Sequence, residues 1–206
     1  MNKIYTLMIC AIFAATPLCA QSADVKAEFE QKLSSASSAN KTIVAKFSQH
    51  KKVAGIKDEV TSHGDFYYDN SGNMAMIYES LEGDKVVMNG ENFTIIVGGK
   101  RIESSSENPM MAQISYMMQA SMSGDVEKLG RGWELSIEYR EAEYRVVVIP
   151  VDRRVKRYIT SMTMLFDDKT LTLNTLRIDE KGGGYTAYLF SAKEINRSID
   201  RKIFIP

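Results

Sequence analysis

The chain has 206 residues, 44% of them hydrophobic and 25% charged, an ordinary globular composition with enough residues for one sizeable core. Lys plus Arg and Asp plus Glu each total 26, so the formal charge is zero. That balance excludes a generic nucleic-acid footprint, which needs an excess of basic charge.

The first segment, MNKIYTLMICAIFAATPLCAQSAD, has one positive charge at Lys3, an apolar run from Ile4 to Ala15 and a small-residue exit from Pro17 to Ala23. This is the layout of a secretory signal peptide, taken as residues 1–22, with cleavage after Ala20 or Ser22. The apolar run is too short to span a bilayer with these flanks. Neither Cys10 nor Cys19 is preceded by a lipoprotein-type tripeptide, so a soluble exported protein is expected. Both cysteines fall in the removed segment. The remaining single domain, 23–206, then has no disulfide and no thiolate metal site. Without Lys3 it keeps 25 basic residues against 26 acidic ones.

The domain opens on a predicted helix in which Val25, Phe29 and Leu33 recur at helical spacing, with Asp24 as N-cap. The Ser/Ala run after Leu33 is expected to fray it. From Asn40 the period changes to two. Ile43, Ala45 and Phe47 share one strand face; Phe66 and Tyr68 alternate with Asp65, Tyr67 and Asp69; Met74, Met76 and Tyr78 share another face. Asp69-Asn70-Ser71-Gly72 is turn chemistry. KVVMNGENFTIIV, with Met88 and Phe93 about its centre, reads as a hairpin in which Asn89-Gly90 supplies both positive φ values.

A helix interrupts the strands. Pro109 suits its first position and Gly124 its C-terminal stop. Met110, Met111, Ile114, Met117, Met118 and Met122 form one apolar stripe along it. Strands then resume. WELSIEYR turns at Glu141-Ala142 into EYRVVVIP, and YITSMTMLFD places Met162, Met164 and Phe166 on one parity. A parity change between Leu173 and Leu176 predicts a bulge. About ten strands with two helices predict a mainly β, α+β fold: an unclosed, strongly curved antiparallel β-barrel covered by a helical lid.

These segments resemble a known family. The N-terminal helix, T-I-V-A-K-F-S-Q at 42–49, Gly64-Asp65-Phe66, the strand ending at Tyr78, V-V-M-N-G-E-N-F at 86–93 and the helical insertion are similar to the periplasmic lipoprotein carrier proteins of the LolA type. The resemblance runs from about residue 25 to the end. It implies a periplasmic, non-enzymatic carrier that holds the acyl chains of lipoproteins between sheet and lid. The implied partners are acylated lipoproteins, an inner-membrane lipoprotein-releasing transporter and an outer-membrane acceptor. The chain departs from the family after its aromatic strand. Asn70 to Met76 stand where many such carriers have Arg-Pro, so gating through that basic residue is not implied.

Methionine repacks at little cost and suits surfaces that accommodate ligands of several shapes. A stripe at helical spacing is also common in ordinary cores. Together with the resemblance, it marks Phe47, Phe66, Tyr68, Met74, Met76, Met88, Phe93, Met110, Met111, Ile114, Met117, Met118, Met122, Met162, Met164 and Phe166 as candidate acyl contacts. Each methylene buried there would gain roughly 0.8 kcal/mol. Tyr67 and Tyr78 could line the cavity mouth, which strand parity does not settle.

Other chemistry has little support. His50, His63 and Asp65 make a poor metal set and read as solvent-facing strand ends. No Gly-x-Ser-x-Gly elbow, Cys-His pair or phosphate loop occurs. No catalytic residue, metal or cofactor is expected, and a monomer is. Arg153, Arg154, Lys156 and Arg157 form a basic cluster, read as a solvated loop with lipid headgroups or an acidic partner as alternatives. Two rival functions remain: a carrier or sensor of free lipids, and a structural or regulatory envelope domain with a filled core and a protein partner.

Overall fold

The structure, a computed structural model, describes residues 18–79, 83–90, 92–103 and 109–206, without the side chains of 18–23, 103, 109–115 and 127–128. Helix α1 (Leu18–Ala39) leads into six strands, β1 (Thr42–Lys52), β2 (Glu59–Asp69), β3 (Asn73–Tyr78), β4 (Lys85–Asn89), β5 (Asn92–Val97) and β6 (Lys100–Glu103). Helices α2 (Pro109–Ser123) and α3 (Val126–Gly130) follow. Five more strands complete the chain: β7 (Trp133–Arg140), β8 (Glu143–Pro150), β9 (Ile159–Asp167), β10 (Leu173–Glu180) and β11 (Tyr185–Ile195).

The described strands form one antiparallel sheet in the order β6-β5-β4-β3-β2-β1-β11-β10-β9-β8-β7. It consists of two meanders fused where β1 pairs with β11. Strands β6 and β7 follow each other in the chain yet form opposite edges. The segment between them carries α2 and α3 from one edge to the other, and the barrel stays unclosed. Both α1 and α2 pack on its concave face, as the predicted lid. No described helix is long and apolar enough to cross a membrane.

Alternation explains the concave face. Phe66, Tyr68, Met74, Met76, Met88 and Phe93 from one meander and Met162, Met164, Phe166, Leu176 and Ile178 from the other meet Phe29 and Leu33 of α1 in one core. Phe29 lies 5.2 Å, ring to ring, from both Tyr144 and Phe166. The Tyr144 hydroxyl accepts from Lys32 at 3.0 Å and donates to Glu28 at 2.9 Å, which ties α1 to β8. The outer face of β3 and β4 is covered as well. Ala75 and Val87 pack under Phe204 of a C-terminal 3-10 turn, held by Lys85 to the Ile205 carbonyl (2.8 Å) and Asn89 to the Phe204 carbonyl (3.0 Å). Tyr67 packs there too, away from the interior.

Three local expectations need correction. Helix α1 begins before Asp24, so Asp24 is not its N-cap. Nor does it fray after Leu33. Alanine keeps it helical, and the hydroxyls of Ser35, Ser37 and Ser38 donate back to carbonyls of the preceding turn. In the β4–β5 hairpin Asn89 is still a strand residue, paired with Asn92, and only Gly90 of the predicted pair has positive φ. The Asn89 side chain instead holds the C-terminal tail. The register shift between Leu173 and Thr175 is the predicted bulge, and α2 starts at Pro109 and stops at Gly124 (φ +74°) as predicted.

Gly124 also sets how closely the two lid helices approach. A Cβ there would collide with Ser37 and lie 2.9 Å from the Leu33 carbonyl oxygen of α1. Gly124→Ala is therefore expected to cost about 1–3 kcal/mol through strain and overpacking. Hydrogen exchange should show faster opening of α1 and α2 while β1 and β11 keep their protection. Uniform loss of protection would show that the lid is not a separable unit.

Candidate functional site

Ladder pairing arranges the concave face of the first meander in rows. Ile43, Tyr68, Met74, Met88 and Phe93 stand opposite one another across β1 to β5. The next row is Ala45, Phe66, Met76, Val86 and Ile95. A third is Phe47, Gly64 and Tyr78. Across the barrel, Met162 pairs with Ile178 and Met164 with Leu176. Met117 and Met118 of α2 close over these rows, with Met122 partly buried beside them.

The structure thus brings together Phe47, Phe66, Tyr68, Met74, Met76, Met88, Phe93, Met117, Met118, Met122, Met162, Met164 and Phe166. The side chains of Met110, Met111 and Ile114 lie outside the described residues. The methionine layer is filled. Among the described residues Met117, Met162 and Met164 have no exposed surface, and only two voids of about 10 Å³ each remain beside Met122.

The open space lies further along the same rows. A cavity of about 410 Å³ sits at the end of the barrel where β1 meets β2, β5 meets β6 and β10 meets β11. Tyr78, Val86, Ile95, Ile178 and Tyr188 form its apolar wall; Lys51, Asp84, Lys85 and Glu180 stand around it. Its volume falls within the range of about 300–1,000 Å³ usual for ligand sites. None of the candidate acyl contacts with a described side chain lines it. Val86 and Ile95 belong to the same row as Phe66 and Met76, however, so the cavity and the methionine layer share one continuous apolar surface.

An aromatic floor separates the two. The Phe47 ring meets Tyr78 edge-on at 5.1 Å and lies 6.4 Å from Tyr188. Gly64 makes room for it, because a Cβ there would lie 2.7 Å from Phe47 Cε1. The Tyr188 hydroxyl, beside that of Tyr78, accepts from Gln49 at 3.3 Å. Of the two tyrosines left open by parity, Tyr78 lines the cavity. Val86, Ile95, Ile178 and Tyr188 were missed, although Val86 and Ile95 lie two residues along the same faces as Met88 and Phe93.

Burial makes ionisation of these phenols costly. It pushes Tyr68 up to about 12, and it raises Tyr78 and Tyr188 above their ordinary value. The unfolded chain loses these protons near pH 10. Stability is therefore complete below pH 10 and falls as the pH rises through the folded values, by up to roughly 1.4 kcal/mol per pH unit for each tyrosine. Urea melts from pH 9 to about 11.5 should show that fall, and Tyr68→Phe should lessen it. A flat profile would mean that the phenols reach water in the folded state.

At the opposite end Lys193 is half-buried beside Thr172 (2.9 Å) and Asn174, and burial lowers its pKa. His50 bonds Glu59 at 2.8 Å on the surface. No group of three His, Cys, Asp or Glu that could hold a metal occurs among the described residues.

The family model described as "Outer membrane lipoprotein carrier protein LolA" matches residues 38–206, most of the chain. The chain belongs to the LolA family. Comparison with curated proteins finds no match. Among solved structures, the chain is similar to a putative outer membrane lipoprotein-sorting protein domain from Vibrio parahaemolyticus, with 11% identity, TM-score 0.50 and coverage of 86% of this chain and 95% of that one. A DUF1329 family protein from Desulfovibrio piger gives 11% identity, TM-score 0.50 and coverage of 87% and 96%. MucB gives 12% identity, TM-score 0.53 and coverage of 90% and 63%. At such identities these structures share the LolA-family fold and nothing finer. That fold is a carrier and binding architecture.

Proposed function

We propose that the protein is a periplasmic carrier of lipoproteins. It takes them from an inner-membrane releasing transporter, holds their acyl chains inside the barrel and hands them to an outer-membrane acceptor without covalent chemistry. The supporting observation is the unbroken row from Phe66 and Met76 to Val86 and Ile95, which joins the methionine layer to the wall of an open cavity. An acyl chain enters at that cavity, with its polar end among Lys51, Lys85 and Glu180. Its tail displaces the Phe47–Tyr78 floor and lies among the methionines as the lid helices yield. Unbranched side chains make that repacking cheap. Each methylene taken from water returns roughly 0.8 kcal/mol.

The filled methionine layer favours a second reading, a regulatory envelope domain that binds a protein and no lipid. Photo-crosslinking in cells separates the two. A photoreactive residue would be placed at Ile95 and at Met118, with Ser123 as an exposed control. Lipoprotein adducts at both interior sites support carriage. Free-lipid adducts alone would replace it with a lipid carrier or sensor. No adduct at either interior site would overturn carriage in favour of the second reading.

A further inference from the structure

The end of the barrel that holds the cavity carries a basic, apolar rim that the proposed carriage does not use. The loop from β8 to β9 reads VDRRVKRY, residues 151–158, with four cations against the single carboxylate of Asp152. Asp152 is taken by Arg154 at 2.8 Å. Arg153, Lys156 and Arg157 are exposed, and their side chains have no ion-pair partner among the described residues. Flanking them, Val151 is 52% exposed and Tyr158 55%. A hairpin tip with the same character joins β1 to β2. Ile56 at that tip is 54% exposed, next to Lys52 and Lys57, and Val60, at the start of β2, is 61% exposed.

The turn from β10 to β11 stands between these two segments. Lys181 donates its amide to the Tyr158 carbonyl at 2.8 Å on one side. On the other, the Cβ position of Gly182 lies 3.5 Å from Ala54 Cβ, and that of Gly184 lies 2.9 Å from the Lys52 carbonyl oxygen. The loops therefore project from one end of adjoining strands, next to cavity-lining Lys51, Glu180 and Thr186. Of the nearby carboxylates, Glu59 bonds His50 and Tyr185, Glu180 accepts from Thr186, Asp179 pairs with Arg177 and Asp84 accepts from the Gly98 amide; together with Asp58 and Asp152 they are outnumbered by Lys51, Lys52, Lys57, Arg153, Arg154, Lys156, Arg157 and Lys181.

We propose that this rim docks the cavity mouth on an anionic phospholipid surface. Cations near such a surface are drawn to its headgroups, while aliphatic tips and a tyrosine sit at the headgroup boundary. The apolar residues are spread over projecting loop tips with cations between them. A lipid interface accepts that layout, whereas a protein hot spot is a compact, centrally desolvated cluster. Docked in this way, the rim holds the cavity mouth at the membrane surface, where the releasing transporter and the acceptor of the proposed carriage sit.

The test is co-sedimentation of the purified protein with vesicles of phosphatidylcholine, alone or with phosphatidylglycerol as about a third of the lipid. Binding to the anionic vesicles only, weakened by salt, is expected. Arg153→Ala/Lys156→Ala/Arg157→Ala should weaken it by roughly 100-fold, about fivefold per cation. Ile56→Ser/Tyr158→Ser should weaken it without changing the salt dependence. No binding, equal binding to both vesicles or a triple variant that binds like the wild type would overturn docking; the first would leave the cations to an acidic protein. None of the substituted residues lines the cavity, so affinity for a fluorescent acyl probe should be unchanged in both variants. Docking with no acyl affinity in the wild type would sink carriage and leave this inference standing.

Discussion

Gly64→Ala is expected to cost about 3 kcal/mol of folding free energy, seen as a fall of roughly 1–2 M in the urea midpoint. The backbone of Gly64 needs no special conformation; the difficulty is space. A Cβ would collide with the Ile77 carbonyl oxygen, which belongs to the β2–β3 ladder and cannot move away cheaply. On the other side it would lie 2.7–2.8 Å from two atoms of the Phe47 ring. Relief requires parting two strands or displacing the aromatic floor of the cavity. Gly55→Ala is the control, since nothing lies within 4 Å of its Cβ position and only its φ of +78° opposes the change. That variant should lose about 1 kcal/mol. Equal losses at the two sites would show that Phe47 yields freely, and the floor would not be a barrier.

Val86→Trp is expected to weaken binding of a palmitoyl probe by roughly 60-fold, as an indole excluding about three methylenes at 0.8 kcal/mol each would do. Val86 is partly exposed to the 410 Å³ cavity, so the larger side chain has room without strain. The urea midpoint should stay within about 0.5 M of the wild type. A probe affinity that survives the substitution would place acyl chains somewhere other than this cavity.

The sequence carried the faces of the strands but not the space between them. Period-two alternation put Phe66, Tyr68, Met74, Met76, Met162 and Met164 on one interior surface, and all of them meet there. Alternation is blind to whether an interior surface is packed against something. Met117, Met118 and Met122 of α2 and the rows beneath them fill one another, whereas Val86 and Ile95, on the same parity, face open space that no described helix side chain lines. Length hid the difference, since both kinds of position are ordinary aliphatic strand residues. Turn chemistry was legible at Asp69–Gly72, whose carboxylate accepts from the Ser71 and Asn73 amides. It misled at Asn89, whose side chain was needed over a hundred positions away at Phe204. The extent of α1 was obscured for a related reason. Serine reads as a helix breaker until its hydroxyl finds a carbonyl one turn back.

The unpaired edges β6 and β7 have a mechanical consequence. A closed barrel has a fixed girth, because widening it means breaking ladder hydrogen bonds along a full strand. Here the hoop is already cut, and all ten ladders can persist while the ends move apart. What resists widening is side-chain packing, which methionine makes soft. The strap across the cut is the α2 segment itself, so a guest that swells the hoop pulls first on the helix that carries the methionines.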